Sequence, residues 1–299
     1  GARPAVSRVV DRTVSVTRLG VVGWSETVDG RVTHGATVSG SRMEDGTNRK
    51  TATAASFGAS ADEYLSSDTH REGDDLERLA SWCDGASRAL DVATGAGHTA
   101  GALVDAGVPN VVAVDASHSM VVTSVDSFPG VVGVVADAER LPFPPETFDA
   151  VTCRIAAHHF PDPETFVDEV SRVLRPEGVF ALEDNVAPEN ETLESFLNHV
   201  EELRDPTHVE SYRTSTWHLW MENTGFAVEE TAHLVKRIDF RAWIDRIRSL
   251  DAKRKARVRR TFAEAPETVR EFFDIRFEAG EVDSFGSPKA LIRARKPPE

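Results

Sequence analysis

Three acidic side chains, Asp91, Asp115 and Asp137, stand at or near the ends of short apolar runs, and the first leads into a glycine-spaced turn. Ala89-Leu-Asp-Val-Ala93 has the composition of a buried parallel strand, and Thr94-Gly95-Ala96-Gly97 is the tight turn that follows it. Glycine suits such a turn because it needs backbone angles that a Cβ forbids, and because a ligand must approach bare main chain. A helix from His98 to Ala106 continues the chain, so the N–H groups of the turn lie at a helix N-terminus. That placement favours a nucleotide-like ligand.

The neighbouring acids narrow the ligand. Val111-Val-Ala-Val-Asp115 reads as a second strand, and Asp115 comes 20 positions after Gly95, the spacing at which a carboxylate meets a ribose diol. Its two oxygens match two adjacent hydroxyls. Val131 to Ala136 reads as a third strand, ending at Asp137. A dinucleotide loop reads G-x-G-x-x-G, whereas here the third glycine, Gly101, comes one place late. Asp91, inside the first strand, offers nothing to a diphosphate but suits a ligand with a cationic amino group. S-adenosylmethionine has the matching parts: an ammonium for Asp91 and the loop backbone, a ribose for Asp115 and an adenine edge for Asp137. Met120, in the first turn of a helix capped by Ser117, is either a soft apolar wall for the adenine or core. The competing readings are an NAD-dependent oxidoreductase, which shares the ribose-binding acid, and a non-enzymatic protein that binds the cofactor as a stabiliser or sensor.

The elements that must position these residues alternate in type. After the three strands, Asp149 to Cys153 begins a fourth, which runs into Arg154-Ile-Ala-Ala-His158-His159. Asp162-Pro163 starts a helix with Phe166, Val167, Val170, Val173 and Leu174 along one stripe, and Val179 to Asp184 is a fifth strand. Strand and helix alternate five times, which predicts an α/β, doubly wound Rossmann-like sheet with helices on both faces. His158 or His159, just past the fourth strand, is placed to act as a base if the methyl acceptor bears a proton. Adjacent residues point in different directions, so at most one faces the ligand, and His159 is preferred. No carboxylate or cysteine is spaced to complete a metal site with them.

Leu90-Asp-Val-Ala-Thr-Gly-Ala-Gly97, Asp115, Asp137 with Leu141-Pro-Phe-Pro, Phe148-Asp149 and Arg172-Val-Leu-Arg-Pro-Glu-Gly178 together resemble a class I S-adenosylmethionine-dependent methyltransferase, similar to the ubiquinone/menaquinone-type C-methyltransferases. The resemblance covers roughly residues 55 to 297. It implies a mixed seven-stranded sheet whose last strand is antiparallel, with the cofactor across the C-terminal strand ends. It also implies backbone contacts from Thr94, Gly95 and Gly97 to the methionine moiety. Asp115 and Ala116 would then face the ribose and adenine side, Asp137 and Ala138 the adenine amine, and Arg154 the sulfonium end. The expected activity is in-line methyl transfer to a small-molecule acceptor.

Composition sets the outer bounds. Asp and Glu number 49 against 34 Lys and Arg, a formal charge of -15, which argues against a nucleic-acid or anionic-membrane surface. Two cysteines, Cys83 and Cys153, make no disulfide framework. No apolar run has the length of a membrane span or the form of a signal segment, so a cytoplasmic protein is expected; the oligomeric state is open. Residues 1–50 are expected to be a disordered or poorly packed leader in which Arg18 to Trp24 could pair as a strand. Residues 51–299 then form the methyltransferase domain, with an N-terminal helical cap over about 55–82, carrying Tyr64 and His70, and a substrate-side helical insertion over about 240–275. Trp217, Trp220, Phe226, Trp243 and Phe285 are candidates either for an apolar acceptor pocket or for core.

Overall fold

The computed structural model describes the strands 13–16 and 21–25, residues 50, 51, 53 and 54, and residues 73–247 and 250–298. Within the stretch expected as a leader, β1 (Thr13–Val16) pairs with β2 (Val21–Ser25), and β2 lies parallel to β5 (Val131–Val135). The other residues of 1–49, together with Tyr64 and His70, lie outside the described residues.

The apolar runs of the sequence form the centre of one sheet. β3 (Ala89–Val92) is buried along its whole length because it has a strand on each side and helices over both faces. β4 (Val111–Asp115) and β5 lie to one side of it, and β6 (Phe148–Arg154) and β7 (Leu174–Asn185) to the other, all parallel. β10 (Glu281–Arg295) runs antiparallel to β7 and to β8 (Ala227–Asp239), which forms the far edge. The order β5-β4-β3-β6-β7-β10-β8 is the mixed seven-stranded sheet expected from the sequence, with the last long strand reversed. β1 and β2 extend it at one end, and β9 (Arg276–Glu278) pairs with the start of β10. Arg175-Pro-Glu-Gly178 is taken into β7, whose pairing with β6 carries a register shift there.

Helices cover the two faces unequally. α1 (Asp74–Ser81) and α2 (His98–Asp105) bury Leu79, Ala100 and Leu103 on one face, against Ala89, Ala113 and Ala181. α3 (His118–Ser127) packs on β4 and β5, and the Ser117 side chain accepts its first-turn N–H from Met120, as a cap should. On the opposite face lies the stripe of α4 (Pro163–Val173), started by Asp162 accepting from Thr165 N with proline in the first turn. Burying each of its large side chains contributes about 1.5–3 kcal/mol.

After β7 come α5 (Glu191–Arg204) and α6 (Thr214–Asn223). Ser215 lies in the first turn of α6, and the Glu189 carboxylate accepts both its N–H and its hydroxyl. Residues 240–272 carry α7 (Phe240–Asp245), α8 (Ala252–Ala263) and α9 (Glu267–Phe272). These pack on α5 around Phe240, Trp243, Phe262 and Phe285, while Trp217 and Phe226 belong to the main core. Trp220 packs against that core part-buried. The tail aromatics are therefore packing residues, because each faces a helix or sheet rather than the cavity at the strand ends.

Candidate active site

A cavity of about 570 Å³ opens over the C-terminal ends of the parallel strands. Each strand delivers its following residues to the wall: Thr94 and Gly95 after β3, Asp115 and Ala116 at the end of β4, Asp137 and Ala138 after β5, and Arg154, Ala156 and His159 from the end of β6. Met120 lines it from α3. Lys50, Thr51, Thr53 and Ala54 complete the wall, a contribution no motif in the sequence announces. Gly97, Asp91 and His158 are not on the wall. Gly97 is instead the cap of α2, with φ +97°, and a Cβ there would lie 2.3 Å from Ser124 Oγ.

Two of the three acids act through backbone. Gly95 N donates to Asp115 Oδ2 (2.9 Å) and Ser117 N to Oδ1 (2.8 Å). An ionised carboxylate has about four lone-pair sites, so each oxygen keeps capacity for one hydroxyl donor. Burial pushes the Asp115 carboxyl above its usual range, opposed by these two N–H donors. Asp91 stands behind the turn, 1% exposed, and accepts hydroxyl hydrogens from Thr94 (2.6 Å) and Thr152 (2.7 Å). Burial raises its carboxyl to about 6. Its influence therefore reaches the cavity through Thr94. Asp137 takes Lys50 Nζ on Oδ2 (2.7 Å) and Glu139 N on Oδ1 (3.0 Å), and Lys50 also pairs with Glu139.

The strand ends hold unusual backbone. Gly95, Ala93 and Ile155 all have φ near +53° to +54°, and all three line the cavity. For a β-branched residue such as Ile155 this region is disfavoured by about 1–3 kcal/mol, a strain that collects at functional sites. Nothing lies within 4 Å of a Cβ built on Gly95, so a ligand can approach that main chain.

Arg154, expected at the sulfonium end, directs its charge into the protein. Its Nε donates to Glu183 (2.6 Å) and an Nη to Asp75 (2.9 Å), with Lys236 also on Asp75 (3.0 Å) and Lys289 3.8 Å from Glu183. Burial pushes Asp75 up, but Glu183, Arg154 and Lys236 together hold it well below the usual carboxylate range. Burial raises Glu183 and lowers Lys289. The sequence carried no sign of this cluster, whose members are scattered from residue 75 to 289 and meet only across α1, β6, β7, β8 and β10.

The two histidines separate as adjacent residues should. They lie in a short 3-10 turn, Ala157–His159. His158 points into the core, where its Nδ1 is 2.6 Å from Asp184 Oδ1 and its backbone N–H donates to Oδ2 (2.8 Å). Burial opposes its charge, but Asp184 wins and raises the imidazole above 6.5. His159 lines the cavity, and burial followed by the neighbouring His158 lowers it to about 3. Among the described residues no group of three His, Cys, Asp or Glu is placed to hold a metal ion, and no helix is long and apolar enough to cross a membrane.

The wall fits a nucleoside that carries an amine better than one that carries phosphates. Its Lys and Arg are each already committed to two carboxylates, Lys50 to Asp137 and Glu139, Arg154 to Asp75 and Glu183. An open mixed sheet with a parallel centre, and a cavity outside the carboxyl ends of its parallel strands, defines the doubly wound α/β class. Comparison with known proteins makes the class specific. Residues 90–182 match the family described as a methyltransferase domain. The uncharacterized methyltransferase YcgJ of Bacillus subtilis (strain 168) is 38% identical over 198 residues, which cover 64% of this chain and 78% of that protein. A Bacillus halodurans C-125 structure described as a methyltransferase superposes with TM-score 0.71 at 38% identity, covering 75% of this chain and 100% of its own. The ubiquinone/menaquinone biosynthesis C-methyltransferase of Geobacter sulfurreducens is 36% identical over 105 residues, 32% of this chain and 41% of that protein. The chain belongs to the class I S-adenosylmethionine-dependent methyltransferase family.

Proposed function

We propose that this protein binds S-adenosylmethionine in the strand-end cavity and transfers its methyl group to a small-molecule acceptor, on the branch of the family that holds the ubiquinone/menaquinone-type C-methyltransferases. The single observation that carries the reading is Asp115: both oxygens hold one backbone N–H of the adjoining turns, and both keep a lone pair for a vicinal diol. Thr94 and Gly95 would hold the amino-acid end by backbone, with Asp91 behind Thr94 supplying negative charge and Gly97 shaping the turn. Ala116 and Met120 would flank the purine, and Asp137 and Ala138 would meet its amine, for which Lys50 on Asp137 is the competitor. The bound cofactor supplies an electrophilic methyl on a sulfonium. The chain's own part is alignment, exclusion of water, and a proton acceptor for an acceptor that bears a hydrogen.

His159 is that proton acceptor, since it is the histidine on the wall. His158 is its support rather than a second base. Arg154 acts as the tie that holds α1 to the strand ends beside the reaction centre. Residues 51–299 make up the catalytic domain, and the helices of residues 240–272 its substrate-side insertion.

Isothermal calorimetry tests the reading directly. Micromolar-range binding of S-adenosylmethionine and S-adenosylhomocysteine, with none of NADH, is the expected result. Binding of NADH alone would replace the reading with an oxidoreductase. Binding of S-adenosylmethionine without release of labelled methyl to any fraction of a metabolite extract would leave a cofactor-binding protein that is not an enzyme.

A further inference from the structure

We propose that the segment Asp205-Pro-Thr-His208, which follows α5, sets the proton position and orientation of His159, with Asp205 and Thr207 as positioning residues. The proposal rests on the reading of His159 as the proton acceptor of the site, and it is reached from three observations about atoms rather than from that reading.

The first is the partner of the imidazole. His159 Nδ1 lies 3.1 Å from the Thr207 carbonyl oxygen and 3.3 Å from Thr207 Oγ1. A carbonyl only accepts, so Nδ1 must carry the hydrogen, and in the neutral ring Nε2 is left as the basic nitrogen. Histidine in water prefers the opposite tautomer, with the hydrogen on Nε2. The protein therefore holds His159 in its less favoured form.

The second is what holds Thr207. Its N–H (2.8 Å) and its hydroxyl (2.6 Å) both donate to Asp205 Oδ1, an Asx-type turn that points the carbonyl one way. Because the hydroxyl hydrogen is used on Asp205, Oγ1 is also an acceptor toward Nδ1. The segment is clamped at its far end as well: Val209 N and Glu210 N donate to the His158 carbonyl (2.9 and 3.2 Å), and His208 Nε2 donates to Asn198 Oδ1 (3.1 Å), whose orientation is set by Ser211 N. The loop after α5 is thus bolted to the same short turn that carries both histidines.

The third is charge. The His158 ring, whose charged form Asp184 favours, has its centroid 4.2 Å from that of His159, and the His208 ring is 6.4 Å away. Asp205 favours the imidazolium, while burial, His158 and His208 oppose it and win. Glu201 and Arg204, from α5, act on His208 and Asp205 around the same cluster. His159 is accordingly neutral through the physiological range, so the tautomer decides what it can do. With Nε2 as acceptor it can receive a hydrogen bond from an O–H or N–H of the methyl acceptor; with the hydrogen on Nε2 it could not.

The test is long-range 1H–15N NMR of the full chain, with the His159 signals identified by their loss in His159→Gln. In the wild type at pH 7 Nδ1 is expected to show the hydrogen-bearing shift and Nε2 the bare one, with no titration of this ring above pH 5. In Asp205→Ala most of the population is expected to move to the Nε2–H form. Asp205→Asn, which retains an acceptor oxygen for Thr207, should restore the wild-type pattern. Thr207→Val keeps the carbonyl and the backbone N–H bond to Asp205 but loses the hydroxyl bond, and should move the population part of the way; it also decides the matter if Asp205→Ala does not fold. An Nε2–H ring in the wild type, or unchanged spectra in both Asp205→Ala and Thr207→Val, would overturn the proposal. Calorimetry with S-adenosylmethionine on the same samples keeps the two readings apart. Loss of cofactor binding already in the wild type refutes the methyltransferase reading, whereas the tautomer result stands or falls by itself.

Discussion

Replacing Asp91 by asparagine should make the protein more stable at neutral pH and worse at holding its cofactor. The carboxyl is fully buried behind the first turn, and burial lifts it from 3.8 to about 6 although Thr94 and Thr152 donate to it. A raised acid binds its proton more tightly in the folded state than in the unfolded chain. Its contribution is then greatest below pH 3.8 and is lost as the pH rises from 3.8 to about 6. By pH 7 the ionised group costs the folded state on the order of 3 kcal/mol relative to a neutral one. Asparagine is neutral and nearly isosteric. Its oxygen can keep the Thr94 hydroxyl, and the Thr152 hydroxyl has an alternative acceptor in the Leu90 carbonyl at 3.5 Å. Urea unfolding should therefore show a gain of about 1–3 kcal/mol at pH 7 that shrinks toward zero at pH 4. Calorimetry should show cofactor binding weakened about tenfold or more, as expected where a strained charge serves function rather than stability. An Asp91→Asn protein that is less stable at pH 7, or whose difference from wild type is the same at both pH values, would show that the charge is not buried at a cost. Unchanged affinity would remove Asp91 from the binding argument.

Other perturbations test the remaining parts of the site. Asp115→Asn can accept only one of the Gly95 and Ser117 N–H groups and sets a donor against the other, so S-adenosylmethionine affinity should fall by about 100-fold, the equivalent of losing two charge-assisted bonds; calorimetry showing less than a threefold change would exclude it as the diol anchor. Gly97→Ala forces a Cβ to within 2.3 Å of Ser124 Oγ at φ +97°, and should cost about 2 kcal/mol or more in denaturant unfolding. A loss under 0.5 kcal/mol would mean that α2 can shift to accept it. In Asp184→Asn the main opposition to burial is lost and only Glu201 still favours the charge, so His158 should titrate lower than in the wild type, and His159, with less positive charge beside it, should titrate higher than in the wild type. An NMR titration in which His159 does not move would show that burial alone sets it.

Much of this protein was written into its order of residues. The apolar runs Ala89–Val92, Val111–Asp115 and Val131–Val135 alternate with helices capped by Gly97 and Ser117, and such runs have few ways to bury themselves except side by side in a parallel sheet. The local rule that acids end these strands was enough to bring Asp115 and Asp137 to one cavity, because parallel strands all finish at the same edge. Similarity to the YcgJ-type methyltransferases then agrees with what those positions suggested. Side-chain direction was beyond that reach. Whether Asp91 faces the ligand or the Thr152 hydroxyl, and whether Arg154 meets a sulfonium or two carboxylates, depends on partners tens of residues away in the chain. So does the choice between His158 and His159, which is made by Asp184 on one side and by the Thr207 carbonyl on the other. Spacing along a chain tells which residues share an edge; only packing in three dimensions decides which way each one turns, since that is settled by whichever distant group satisfies its charge.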